Sequence, residues 1–238
     1  MLSQTLCFYG MDFSKFHILP RLVKGCFNLN PPKARYAFLW DVSTVLRFLF
    51  TLYPLEELTL KMLTLKSAAL LALSSAARAQ TLSALDIKYT NFSGDSVIFN
   101  IHQLLKTSRP GTSLSSVVLK QFVKPELCVV TTLKSYLNRT ASVRKSNSLF
   151  VSYVNYNKVT TCTLARWLKT VLHLAGIDIS IFKAHSFRGA STTAAFNAGC
   201  SLKDILSTAN WTSARTFYKF YFKETVNDKS FSHCVLQN

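Results

Sequence analysis

Apolar residues recur at helical spacing along most of this chain and at alternate positions in only one short stretch. His17 to Phe27 (HILPRLVKGCF) reads as a short helix, and Asn28 to Lys33 (NLNPPK) as a turn-rich linker. In WDVSTVLRFLFTLYP, Val45, Leu46, Phe48 and Leu49 form a helical stripe, with Asp41 or Ser43 as cap and Pro54 as stop. Residues 58–75 are apolar nearly all round, as in a buried helix, and 77–85 give a shorter one. The pattern then alternates. Residues 87–90 and 97–101 read as a hairpin about a turn at 91–95, with a third strand at 115–120. Helical spacing returns at 126–138, 161–175, 185–198, 202–208 and 213–223, after a polar loop at 139–147 and a short apolar stretch at 149–151. The expected fold is mainly α with one small antiparallel β-sheet, an α+β domain. No internal repeat is visible.

Charge changes the picture more than composition does. The chain has 28 Lys and Arg against 11 Asp and Glu, a formal net charge of +17. Such a surface attracts polyanions, nucleic acid first and an anionic membrane second. The most apolar run, Met62 to Ala77, is broken by Lys66 and several serines and falls short of the ~20 apolar residues a membrane span requires, so no membrane partner is expected. The N-terminus lacks a basic stretch followed by a long apolar run, so no signal peptide is read. Cys7, Cys26, Cys128, Cys162, Cys200 and Cys234 form no CxxC pair and have no histidine at zinc-ligand spacing. They read as reduced, buried cysteines of an intracellular protein. Their spacing calls for no zinc site.

The densest chemical signal is KAHSFRGASTTAAFNAGCSLKDILSTANWTSARTFYKFYFKE, residues 183–224. His185 and Arg188 are three apart, which places both on one face of a helix. Trp211 follows Arg188 by 23 residues, and Tyr218 and Tyr221 come seven and ten residues later in an expected further helix. Each residue also has a plain structural reading: a surface arginine, a capped histidine, a core tryptophan, an aromatic stripe facing the interior. Their joint order and spacing is far more specific than any one of them.

In that order the chain resembles the tyrosine recombinase, or phage integrase, family from about residue 34 to 224. Arg78, in SSAARAQTLSALDI, looks like the family's first arginine, and Lys106, in IFNIHQLLKTSRPG, like the lysine carried by the β-hairpin. His185 and Arg188 match the HxxR motif, Trp211 the following His/Trp position and Tyr221 the nucleophile. The wording of ARAQTL, LLKTSRPG and NWTSARTFYKFY is most similar to recombinases of eukaryotic mobile elements, the DIRS-like and crypton groups. Bacterial and phage relatives usually place the nucleophile one residue nearer, which here is Phe220; the F-Y pair of the mobile-element relatives favours Tyr221, with Tyr218 in reserve. Two positions depart from the family pattern. Thr81 stands where many relatives have an acid, and Gly189 where many have a second histidine.

The resemblance implies a catalytic domain over residues 34–224. Residues 1–33 are then a remnant of an N-terminal core-binding domain and its linker, and 225–238 a short C-terminal tail. It implies cleavage and rejoining of double-stranded DNA through a 3′-phosphotyrosine intermediate, with no metal, no other cofactor and no small-molecule substrate, by a homo-tetramer on synapsed DNA. It also implies a nuclear location. Two further readings are a DNA-binding remnant of such an element without turnover, and a type IB topoisomerase using the same chemistry as a monomer.

Overall fold

The computed structural model describes residue 16, residues 18–31, 36–105, 108 and 116–223. The chain divides into two compact units, Met1–Arg35 and Tyr36–Asn238. In the first, α1 (Ile18–Leu29) is amphipathic, and none of its residues is buried. In the second, α2 (Val42–Thr51) starts where Asp41 accepts a hydrogen bond from the Ser43 amide at 2.9 Å. The carboxylate supplies the acceptor that the first turn of a helix lacks, so Asp41 rather than Ser43 is the cap.

Helix α3 (Leu60–Ser75) is the axis of the fold and packs against α5 (Val129–Thr140), α6 (Thr161–Leu174) and α7 (Ser186–Asn197). Every residue from Leu63 to Ala72 is buried, which accounts for an apolar run with no polar stripe. Its buried hydroxyls turn inward on the helix itself: Ser67 and Ser75 donate to the carbonyls of Leu63 and Leu71. The helix stops at Ala76, in the left-handed conformation at φ +48°. The chain then extends through Arg78 into the short α4 (Ala79–Ser83).

The sheet has three antiparallel strands in the order β1 (Thr90–Ser93), β2 (Ser96–Asn100), β3 (Ser116–Lys120). Val97 pairs with Leu119 and Phe99 with Val117, putting Val97, Phe99 and Leu119 into the core. The hairpin lies later than its alternation predicts. Residues 87–89 form a 3₁₀ turn rather than a strand, because Asp86 accepts from the Lys88 amide and Thr90 Oγ1 donates back to Asp86 O. The turn itself contracts to Gly94-Asp95, where Gly94 has φ +54°.

After β3 come α5, capped by Cys128 and starting later than the predicted 126–138, then α6, α7, α8 (Leu202–Thr208) and α9 (Ala214–Phe220). Helix α9 is shorter than the predicted 213–223. Tyr221 therefore lies just past its last turn, with φ −123° and ψ −39°, and not within the helix. A small second core of Ala76, Ile205, Ala209, Trp211 and Phe217 ties the end of α3 to α8 and α9. The cysteines depart from expectation. Among the described ones only Cys128 is buried, while Cys26, Cys162 and Cys200 are exposed; Cys7 and Cys234 lie outside the described residues. Among the described residues no helix is long and apolar enough to cross a membrane.

Candidate active site

Arg188 occupies the first turn of α7 and is 3% exposed. Its Nη1 donates to the Ala76 carbonyl at 2.6 Å, and its Nη2 to the Ala209 carbonyl. Ala76 and Ala209 are the C-terminal caps of α3 and α8, so the guanidinium ties two helix ends whose carbonyls carry partial negative charge. The guanidinium carbon lies 4.3 Å from the Trp211 ring centre and 5.5 Å from that of Tyr221. Burial, and next the charge of Arg78, lower its pKa to about 10, while the nearby Tyr221 hydroxyl works in the opposite sense. It therefore keeps its charge at neutral pH. Its Nε is buried and makes no hydrogen bond.

The aromatic neighbours extend the cluster. The rings of Trp211 and Tyr221 are 4.4 Å apart, and those of His185 and Tyr221 5.6 Å. Trp211 Nε1 is a second buried N–H without a partner. Trp211 is placed by the end of α8: Asn210 adopts φ +51°, and the Trp211 amide returns to Leu206 O at 2.8 Å. Asparagine tolerates that left-handed conformation better than most residues, which is the local reason for Asn before Trp. His185 sits at the N-terminal boundary of α7 with helical dihedrals, so His185 and Arg188 share that end of the helix, as their spacing implies.

Arg78 is half-buried and lines a cavity of about 240 Å³ together with Arg188. Thr81, Ser207, Thr208 and Asn210 contribute polar groups to the same wall, and no carboxylate is among its described lining residues. Two cations and several hydroxyls without an acid make a site for an anion. His185, Trp211 and Tyr221 do not line this cavity; among the described residues Arg188 alone belongs to both the cavity and the aromatic cluster. Lys106 lies outside the described residues, although Leu105, its chain neighbour, lines the cavity. Tyr218 is 47% exposed, and its ring packs with Phe196, Phe217 and Phe222 rather than over Arg188. Among the described residues no three His, Cys, Asp or Glu side chains come together as metal ligands would.

Reasoning from side chains misses the Ala76 and Ala209 carbonyls, because a backbone acceptor has no signature in the sequence. It also misses the surroundings of Gly189. A β-carbon there would lie 3.3 Å from Leu39 Cδ2 and 3.6 Å from the Tyr221 carbonyl.

A long central helix with helices packed around it and a three-stranded antiparallel sheet make the tyrosine recombinase catalytic-domain fold. Solved structures of such enzymes superpose on the chain at low sequence identity. The XerA recombinase matches at 19% identity and TM-score 0.60, over 89% of this chain and 67% of that one. The XerH site-specific recombinase, in a post-cleavage complex with its palindromic difH substrate, matches at 15% and 0.58, over 78% of this chain and 50% of its own. The Tn1549 transposon integrase, in complex with transposon right end DNA, matches at 15% and 0.58, over 87% of this chain and 66% of its own. This chain thus spans about half the length of XerH. No protein-family profile and no curated protein matches it.

Proposed function

We propose that the chain cuts and rejoins double-stranded DNA through a covalent 3′-phosphotyrosine link, as a site-specific recombinase of a mobile element of the DIRS-like or crypton kind. The observation that carries this reading is a buried arginine and a buried tryptophan, each with an N–H lacking an acceptor, packed against Tyr221. A buried donor without a partner is costly, and the missing partner is supplied by an oxygen-rich anion. The net charge of +17 and the shared Arg78–Arg188 cavity fit a backbone phosphate as that anion.

In the reaction the Tyr221 oxygen attacks the scissile phosphorus. A P–O bond to the tyrosine forms, and the bond to the 5′ oxygen breaks. Arg78 and Arg188 hold the non-bridging oxygens, where negative charge builds in the transition state, through planar donors suited to phosphate. Arg188 has already given one N–H to each helix end and keeps Nε for the substrate. Trp211 adds its indole N–H. His185, beside the Tyr221 ring, takes the phenolic proton and, once charged, steadies the phosphate. Lys106 protonates the departing 5′ oxygen. Attack by that 5′-hydroxyl reverses each step and rejoins a strand.

The working partner is DNA, and the working assembly a homo-tetramer on two synapsed sites. Among the similar structures, XerH is seen with difH and the Tn1549 integrase with transposon end DNA. A mobile element of this kind acts in the nucleus. Incubation with a nicked suicide DNA substrate tests the reading: a covalent protein–DNA adduct is expected on a denaturing gel and is lost in Tyr221→Phe. Salt-dependent binding without an adduct would leave only a DNA-binding remnant. An undiminished adduct in Tyr221→Phe would move the nucleophile to Tyr218.

A further inference from the structure

Tyr221 lies outside the helix that leads to it. Helix α9 ends at Phe220, and the amides of Tyr221 and Phe222 both return to the Phe217 carbonyl at 2.9 Å. The Tyr221 amide makes an ordinary α-helical bond and the Phe222 amide a wider one, so regular helix geometry ends at Tyr221. The other side of the Tyr221 main chain, its carbonyl, is held by α7. Thr193 Oγ1 donates to the Tyr221 carbonyl at 3.2 Å, and Thr193 is 1% exposed. One turn earlier on α7, Gly189 presents no side chain, and Leu39 Cδ2 and the Tyr221 carbonyl lie 3.3 and 3.6 Å from where its β-carbon would be, leaving no room for the branches of a larger residue. Arg188 and His185 occupy the start of the same helix.

We infer that Thr193 and Gly189 are positioning residues that dock the Tyr221 backbone onto the helix carrying Arg188. The distance between tyrosine and phosphate clamp is then set within one chain and before DNA binds. The inference rests on Tyr221 being the nucleophile. It also accounts for Gly189 where the resemblance leads one to expect a histidine: here Leu39 fills that space, and a larger side chain would press on Leu39 and the Tyr221 carbonyl. Thr193 touches no reacting atom; it acts by fixing where the Tyr221 Cα sits. Displacements of about 1 Å in a reacting group can cost about 100-fold in rate, so a single hydrogen bond at this point has leverage.

The test uses Thr193→Val, which keeps the shape and removes the donor, Thr193→Ser, which keeps the donor, and Gly189→Val. For each, the rate of adduct formation on suicide DNA, the affinity for that DNA, and hydrogen exchange of the Tyr221 and Phe222 amides are measured. Thr193→Val and Gly189→Val are expected to slow the adduct about 10- to 100-fold with DNA affinity unchanged, and to speed amide exchange at 221 and 222. Thr193→Ser should recover most of the wild-type rate. A wild-type adduct rate in Thr193→Val, or unchanged exchange at those amides, overturns the inference. Should the wild-type protein form no adduct, the recombinase reading fails, and the exchange measurement still decides whether Thr193 holds the Tyr221 backbone.

Discussion

Among the described residues two cations are buried, Lys66 and Arg188, and their surroundings contrast. Lys66, 0% exposed in the middle of α3, donates from Nζ to the carbonyl of Leu52, the C-terminal cap of α2. Its ammonium lies 5.8 Å from the Tyr53 ring centre. Burial lowers its pKa to about 8, and the carboxylate of Glu126 opposes the shift. Arg188 likewise caps helix ends, at Ala76 and Ala209, but the ionised group nearest in effect is a second cation, Arg78. It also keeps a buried Nε with no acceptor and borders a cavity. The difference lies in what is left over. The lysine nitrogen has its acceptor within the fold and an acid to offset its charge, whereas the arginine is repelled and incompletely bonded. A buried donor left without an acceptor is costly, so the two buried cations differ in what their surroundings supply and not in burial itself.

Substitutions can break this contrast, starting with the largest effect. Arg188→Ala removes two charge-assisted hydrogen bonds from helix ends and should cost about 3 kcal/mol or more of stability, read from denaturant unfolding. Arg188→Lys keeps a charge without the planar fork. It should retain more of the stability yet still slow adduct formation by about 10²- to 10³-fold, and a near wild-type adduct rate in this variant would make Arg188 another Lys66. Arg78→Ala should slow the adduct by a similar factor of about 10²–10³ while shifting stability by only about 0.5 kcal/mol. Since Arg78 is one cause of the lowered Arg188 pKa, its removal also moves that pKa back up.

Lys66 should have the smallest effect on adduct formation, since its role is purely structural. Its pKa is about 8 in the folded chain against an ordinary 10.5, so between those values the unfolded chain binds more protons. Stability should therefore rise with pH through that window, by up to about 3 kcal/mol in total. Lys66→Met should flatten the rise and leave adduct formation unchanged. Unfolding midpoints measured from pH 7 to 10.5 check this, and a flat wild-type profile would show that Lys66 stays protonated throughout.

Much of the architecture is legible in the chain because local rules write it there. Helices α2, α3, α6, α7 and α8 follow from apolar spacing and from caps at Asp41, Thr59, Thr160 and Ser201. Where local chemistry competes with periodicity, the pattern misleads. Asp86 turns a predicted strand into a 3₁₀ turn, and α9 ends before Tyr221. The cysteines mislead for another reason: burial belongs to the packed fold and not to the residue type.

The sequence by itself determined the helical frame, the small sheet, the excess of positive charge and the ordered series of Arg78, Lys106, His185, Arg188, Trp211 and Tyr221. Tertiary structure alone decided that Arg78 and Arg188 share one cavity, that Tyr221 rather than Tyr218 lies over Arg188, that two helix-end carbonyls accept from Arg188, and that Thr193 donates to the Tyr221 carbonyl. The reason is physical. Spacing and capping act over a few residues along the chain. A cluster that joins position 76 to 188 and 188 to 209 exists only once separate helices have packed and their ends have met.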